Sequence, residues 1–424
     1  MNPSTSPSAA PVNRPMPAAP PVQAEPYDVV VVGGGPAGAT AAHELARGGR
    51  RVLLIDRDGR IKPCGGAIPP RLIRDYDIPE HLLVAHARCA RMVSPAGRHV
   101  DIPIEGGFVG LVDREVFDEW LRERAVAAGA VRVAGRFERL ERLPDGLVEL
   151  HLRLNTPGSD HEHVARVRAR TVIGADGARS EVARQAVPGA EKGRFVFAYH
   201  EIVKAPDAAQ AAERDYDPSR CDVVYNGRYS PDFYGWVFPH GSHFSVGTGS
   251  ADKGFSLRNA TAALRRAAKL DGLETLRREG APIPMKPLPR WDDGRNVVLA
   301  GDAAGVVAPA SGEGIYYAMV GGSRAAEAVD AFLATGRASA LATARKRFLK
   351  EHGRVFWVLG MMQRFWYSSD KRRERFVSIC QDRDVQQLTF DAYMNKRLVR
   401  ARPMAHVRIF LKDMAHLLGL ARVT

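Results

Sequence analysis

The sequence predicts an α/β fold, with a parallel sheet flanked by helices, an inserted mixed β-sheet domain and a C-terminal helical region. Three observations predict it. The β-branched run Asp28–Val32 leads straight into a glycine-rich turn and then an alanine-rich segment of helical period. Two more short apolar runs, in TVIGADGARS (171–180) and NVVLAGDAAGVVAPASGEG (296–314), read as buried strands ending on Asp–Gly and Gly–Asp. Between them, roughly 190–285, the chain is strand-rich, and beyond Ala340 it reads as helices.

The first unit reads YDVVVVGGGPAGATAAHELARGGRRVLLID, residues 27–56. Gly33 permits a tight turn, Gly35 lets backbone approach a diphosphate, and Gly38 lets helix and strand pack closely. Ala37 belongs to the same loop, and the helix N-terminus attracts negative charge. A second strand, Arg51–Ile55, ends at Asp56, 18 residues beyond Gly38, with Arg57 beside it. A carboxylate there accepts ribose hydroxyls. This is a Rossmann-type dinucleotide-binding unit.

Composition sets the outer bounds. The 424 residues are 45% hydrophobic and 26% charged, which suits a globular chain of two or three domains. Four scattered cysteines with no CxxC pair exclude a disulfide framework and a zinc cluster. No metal is expected, and a reducing cytoplasm is. No run of 18 apolar residues marks a membrane span. Residues 1–26, rich in Pro, Ala and Ser, read as a disordered leader. The net charge is +13, and residues 341–424 hold 18 Lys/Arg against 7 Asp/Glu. With no nucleic-acid motif beside it, this surplus reads as a solvated helical surface or as a contact for an anionic membrane.

Three stretches carry a wider resemblance. Asp176-Gly177 resembles the DG motif of flavoprotein hydroxylases and their relatives, and Gly301-Asp302 resembles their GD motif. Arg114 in DREVFDEWL is similar to an arginine that reaches the FAD phosphates in that superfamily. The resemblance implies FAD, with Asp302 on the ribityl chain. It also implies that the turn Gly312, Gly314 and Ile315 aims a helix N-terminus at the flavin ring. No second GxGxxG is present for a nicotinamide nucleotide, so NADPH, the expected electron donor, would dock transiently.

The strand-rich segment holds FYGWVFPHGSHFSVGTGS, residues 233–250. Tyr234, Trp236 and Phe238 alternate and so share a face, with a turn expected at Pro239–Gly241. Phe244 and Val246 return on the next strand, and Gly247 and Gly249 leave space. Such a face either packs its own core or walls a long apolar substrate. Residues 61–70 read IKPCGGAIPP, a stiff loop placing Cys64, Gly65 and Gly66 after the second strand. Together, PxxCGG and YGWVFPHGSHFSVG resemble the geranylgeranyl reductase family. CGGAIP, SGEGIYYAM (311–319) and FVSICQDRDVQQLTFDAYMNKR (376–397) resemble its chlorophyll and bacteriochlorophyll branch.

The resemblance covers about residues 27–420 and implies stepwise saturation of a geranylgeranyl group to phytyl, on the pigment ester or the free diphosphate. An isolated alkene has no carbonyl to take up negative charge, so hydride delivery must be paired with a proton for the other carbon. Cys64 either donates that proton or forms pocket wall. Gly65, Gly66, Tyr234, Trp236, Phe238 and Pro239 are the expected substrate contacts. Two other readings share the fold: an archaeal-type polyprenyl lipid reductase, and a flavin monooxygenase or halogenase. A non-catalytic flavoprotein is a third.

The expected FAD-binding domain is discontinuous, at 27–70, 111–185 and 286–335. The substrate domain is expected at 71–110 and 186–285, and helices at 336–424. Val407, Phe410, Leu411, Met414, Leu417 and Leu418 fall on one face of a helix at 404–420. That face either caps the flavin domain or docks peripherally on the photosynthetic membrane.

Overall fold

A computed structural model describes residues 25–57, 61–105, 107–155, 162–387 and 394–396. Five strands run parallel in the spatial order Val131–Arg142, Val52–Asp56, Tyr27–Val32, Glu162–Gly174 and Val297–Leu299. The strand Val148–Asn155 runs antiparallel between the far ends of the two long strands. Val29, Val30 and Val31 are fully buried because helices cover the sheet.

The helices Pro36–Arg47 and Ile315–Thr335 cross here at very short range. A Cβ on Gly322 would stand 2.2 Å from the Ala37 carbonyl oxygen, and one on Gly301 would stand 2.7 Å from Ala37 Cβ. Ala37, expected to contact cofactor, is also the small residue at this crossing.

A seven-stranded mixed sheet follows the order Thr275–Pro284, Phe195–Lys204, His243–Ser250, Gly235–His240, Arg220–Val224, Cys89–Val93 and His99–Pro103. Neighbours are antiparallel except Arg220–Val224 beside Cys89–Val93. The aromatic strand therefore runs on through Pro239 to His240, and the turn tightens to Gly241 and Ser242. A three-stranded sheet joins Ala67–Ile68 to Val109–Leu111 and Ala85–Ala87. Because Ala67 continues directly from Gly66, this sheet anchors the Cys64 loop.

Helices Thr343–Trp366 and Asp370–Ile379 follow. No described helix is long and apolar enough to cross a membrane. The amphipathic segment 404–420 lies outside the described residues.

Tyr316, Tyr317, Phe348 and His352 form an aromatic cluster between the helices Ile315–Thr335 and Thr343–Trp366. His352 is fully buried, and neither ring nitrogen has a hydrogen-bond partner among the described residues. Glu351 stands 3.4 Å from Nε2. Burial lowers the imidazole from 6.5 to about 4 against the opposing pull of Glu351. The unfolded chain therefore binds this proton at a higher pH than the folded one does. Stability is expected to fall as pH drops from 6.5 toward 4. Urea midpoints at pH 7 and pH 4.5 should differ less in His352→Phe than in wild type; equal differences would refute this origin.

Candidate active site

The glycine loop has the geometry of a diphosphate cradle. Gly33 has φ +104°, and a Cβ there would stand 2.3 Å from the Ala175 carbonyl oxygen. A Cβ on Gly38 would stand 1.8 Å from the Gly33 oxygen. Gly35 differs, since a Cβ there meets nothing within 4 Å. Pro36 opens the helix, and no side chain among the described residues caps it. Free backbone donors thus face open space, which fits the diphosphate of a dinucleotide.

The acidic positions have partners that local pattern did not indicate. Asp56 takes an ion pair from Arg122 at 2.8 Å, and the same guanidinium donates to the Gly34 carbonyl. Arg57 is exposed at the end of that strand. Asp302, nearly buried, pairs with Lys62 at 2.7 Å. This bond ties the Cys64 loop to the Gly301-Asp302 turn. Asp176 accepts from Ser180 Oγ with one oxygen, and from the Glu181 and Val182 N–H groups with the other. Burial raises its carboxyl against those bonds. Asp176 thus caps the helix Glu181–Ala186, while Gly177 beside it has φ +88° and open space.

Arg114 is also placed differently from expectation. It is buried and bidentate to Asp118 at 2.6 and 2.8 Å. Burial opposes its charge, but Asp118 and the Cys64 sulfur outweigh this and raise its pKa. Its guanidinium is engaged by Asp118 and lines the cavity beside Cys64.

The two most distinctive sequence stretches meet in space. A Cβ on Gly65 would stand 3.2 Å from the Phe238 ring and 3.9 Å from Trp236 Nε1. Tyr234, Trp236 and Phe238 form a continuous row with ring centroids 6.1 and 6.4 Å apart. Register explains how. Trp236 lies opposite Gly247, whose Cβ would stand 2.6 Å from the indole, and Phe238 lies opposite Ser245. Trp236 Nε1 donates to Ser245 Oγ at 3.0 Å, and His200 Nδ1 is 2.9 Å from the same oxygen. His200 Nε2 in turn lies 3.1 Å from Glu279. This buried chain fixes the indole.

Pro239, with Val237, alternates to the opposite face, paired across to Phe244 and Val246. Phe244 and Val246 pack there with Leu264 and Tyr229. Pro239 is therefore not part of the aromatic wall.

Two further features complete the site. Tyr234 donates its hydroxyl to the Ser311 carbonyl, and Gly312, with φ +63°, leaves room for the Phe233 ring. The mixed sheet thereby touches the turn before Gly314 and Ile315, where the helix Ile315–Thr335 begins. Glu313 in that turn accepts from the Tyr316 N–H and from the buried Lys396 at 2.7 Å. A cavity of about 270 Å³ opens beside the loop, with Lys62, Cys64, Arg114, His240, His243 and Glu279 among its lining residues.

Asp113 Oδ1 lies 3.1 Å from His240 Nδ1 and 3.2 Å from His243 Nε2. Burial would raise the Asp113 carboxyl, but the two histidines outweigh it and hold the group well below the usual carboxylate range. His240 directly follows Pro239 in the aromatic stretch, and alternation from Trp236 and Phe238 places it on their face.

Residues 27–224 match the pyridine nucleotide-disulphide oxidoreductase family model. The chain is 58% identical over 394 residues to the geranylgeranyl diphosphate reductase of Rhodobacter capsulatus, covering 93% of this chain and 98% of that protein. It superposes on a geranylgeranyl bacteriochlorophyll reductase-like protein of Thermoplasma acidophilum with TM-score 0.76 at 23% identity, covering 90% and 99% of the two chains. A flavin-dependent brominase gives TM-score 0.71 at 19% identity, covering 92% of this chain and 100% of that one. The fold is therefore shared with enzymes of other reaction types.

The glycine geometry separates two kinds of lesion. Gly35→Val should fold with near-normal stability yet purify without FAD, because its side chain enters the open cradle. Gly38→Ala should lose FAD and also at least about 1–3 kcal/mol of stability, because its Cβ meets fixed backbone. Flavin absorbance and denaturant midpoints measure both. Full flavin content in Gly35→Val would contradict the cradle.

Proposed function

The chain belongs to the geranylgeranyl reductase family, and from that premise we propose that it saturates a geranylgeranyl chain stepwise to phytyl in (bacterio)chlorophyll biosynthesis. FAD is the cofactor. The carrying observation is the meeting of the Cys64–Gly66 loop with the Tyr234–Trp236–Phe238 face. A row of large aromatic rings offers apolar area with few rotors to a polyisoprenoid tail, and keeps water from the reacting carbons.

Reduced FAD, when bound, supplies the hydride. The residues must then hold the alkene and deliver a proton to its other carbon. Cys64 stands where the aromatic face, the cavity and the loop converge. The Arg114 guanidinium and the Gly66 N–H both turn toward its sulfur, the latter at 3.4 Å. A sulfur that meets a backbone donor and lines the cavity beside Arg114 has the surroundings of a reacting group rather than of an apolar wall, which supports the acid role for Cys64. We take 71–110 and 186–285 as the substrate-binding half and NADPH as the donor that reduces the flavin.

A surface feature supports a peripheral membrane contact from the cytoplasmic side. Lys350, Arg354, Trp357, Met361 and Arg364 follow one another at alternating spacings of four and three along the helix Thr343–Trp366. They form one stripe, and Trp357 is 65% and Met361 49% exposed. Cations around an exposed indole suit the interface of the anionic photosynthetic membrane that holds pigment.

The direct test supplies the FAD-loaded protein with NADPH and either geranylgeranyl diphosphate or geranylgeranyl-esterified pigment. Mass spectrometry should show products gaining hydrogen in successive pairs. Oxygenated or halogenated products would overturn the reading in favour of a monooxygenase or halogenase. Cys64→Ala should bind FAD and accept electrons normally while alkene reduction falls about 10²–10⁴-fold. Near-wild-type turnover would leave Cys64 as wall. Trp357→Glu should reduce sedimentation with anionic vesicles, more so as salt rises; unchanged sedimentation would reject the membrane stripe.

A further inference from the structure

The peptide unit joining Gly65 to Gly66 is held at both ends. Its carbonyl, on Gly65, lies 3.1 Å from His240 Nε2. Its N–H, on Gly66, points at the Cys64 sulfur at 3.4 Å. The other ring nitrogen of His240, Nδ1, lies 3.1 Å from Asp113 Oδ1. A carbonyl oxygen and a carboxylate only accept, so each ring nitrogen must carry a hydrogen. The ring that satisfies both partners is the imidazolium. In this arrangement His240 keeps no lone pair for a metal ion, although Asp113, His240 and His243 bring ligand atoms within 4.8 Å of one another.

We propose that protonated His240 is a positioning residue, locking the Gly65–Gly66 peptide so that its N–H faces Cys64. Flipping a peptide rotates ψ of the first residue and φ of the second. Glycine at both positions leaves that rotation with no side chain to oppose it, and Gly66 already sits at φ +68°. A flipped peptide would present a carbonyl oxygen to the sulfur and an N–H to the imidazole. The imidazolium favours the unflipped state because it only donates, and Asp113 holds the charge in place. The same cation polarises the amide whose N–H reaches the sulfur.

The charged and titratable groups around His240 come from four elements, and Arg277 is among them on the edge strand Thr275–Pro284. Asp113, Arg114 and Glu115 lie at the start of the helix Arg114–Ala127, and His243 stacks on His240 at 5.1 Å from the partner strand. Lys62 and Cys64 face the same cavity from the loop, and Glu279 does so from the edge of the sheet. The bearing of this lock on catalysis rests on the role given to Cys64 above, but the lock itself does not.

Alkylation of Cys64 by iodoacetamide reads the lock without any alkene. The FAD-loaded protein is treated across pH 5.5–8.5, and the Cys64 peptide is quantified by mass spectrometry. Wild type should show a break in the rate profile where the imidazolium is lost, in addition to the rise from the thiol's own ionisation. His240→Gln, which keeps a donor but no charge, should slow alkylation at pH 6 roughly 10-fold or more and abolish the break, as expected for losing a hydrogen bond to a charged acceptor. His240→Lys, a cation across this range, should restore the rate to within about 2-fold and also show no break. Asp113→Asn should move the break to lower pH, and it carries the test if His240→Gln does not fold. Identical profiles in wild type and His240→Gln, or a folded His240→Lys that stays slow, would overturn the proposal. Geranylgeranyl turnover is not measured here, so failure of the assigned reaction would leave this result standing.

Discussion

The candidate site depends on the close approach of a loop and a strand, possible only where side chains are missing. Gly65 lets the Phe238 ring lie against the loop, and Gly247 opens the sheet so that the Trp236 indole can turn inward. Gly66 has the least freedom of the three. A Cβ there would stand 2.4 Å from the Val112 carbonyl oxygen and 2.5 Å from the His240 ring. Val112 belongs to the chain that continues the anchoring three-stranded sheet, and its N–H donates to the Gly66 carbonyl at 2.9 Å. The loop is therefore gripped from both sides, and Cys64 is carried to one place.

Charge then joins parts that the sheets alone leave separate. Lys62 ties the loop to Asp302, Lys396 ties the last described residues to Glu313, and Asp113 gathers two histidines beneath the loop. Such partly or wholly buried pairs add little net stability over apolar replacements, yet are costly to break singly. Their value here is alignment. Each fixes a turn that borders the cradle or the aromatic face.

Sequence pattern disclosed what is local. Gly33, Gly35 and Gly38 were legible because strand, turn and helix signals sit within a dozen residues of one another. Tyr234, Trp236 and Phe238 were legible from period two. The same period placed Pro239 on the other face and His240 on the near one, a signal present in the sequence that grouping by motif obscured. The cap made by Asp176 also carried a local signal, since Ser180 and a helix start follow it. The pairs Asp56–Arg122, Asp113–His240 and Lys62–Asp302 span 66, 127 and 240 residues. No propensity or periodicity links residues so far apart, because only the tertiary fold brings them together. The pair Arg114–Asp118, by contrast, is four residues apart on one helix, a spacing that the sequence does show.

Photolabelling tests most directly the claim that loop and strand form one substrate site. A geranylgeranyl diphosphate analogue with a small photoreactive group along its tail would be bound to the FAD-loaded protein, irradiated, and its attachment sites mapped by mass spectrometry. The structure predicts labels on the peptides carrying Cys64 and Trp236–Phe238, suppressed by unlabelled geranylgeranyl diphosphate. Specific, competable labelling confined to other surfaces would contradict it.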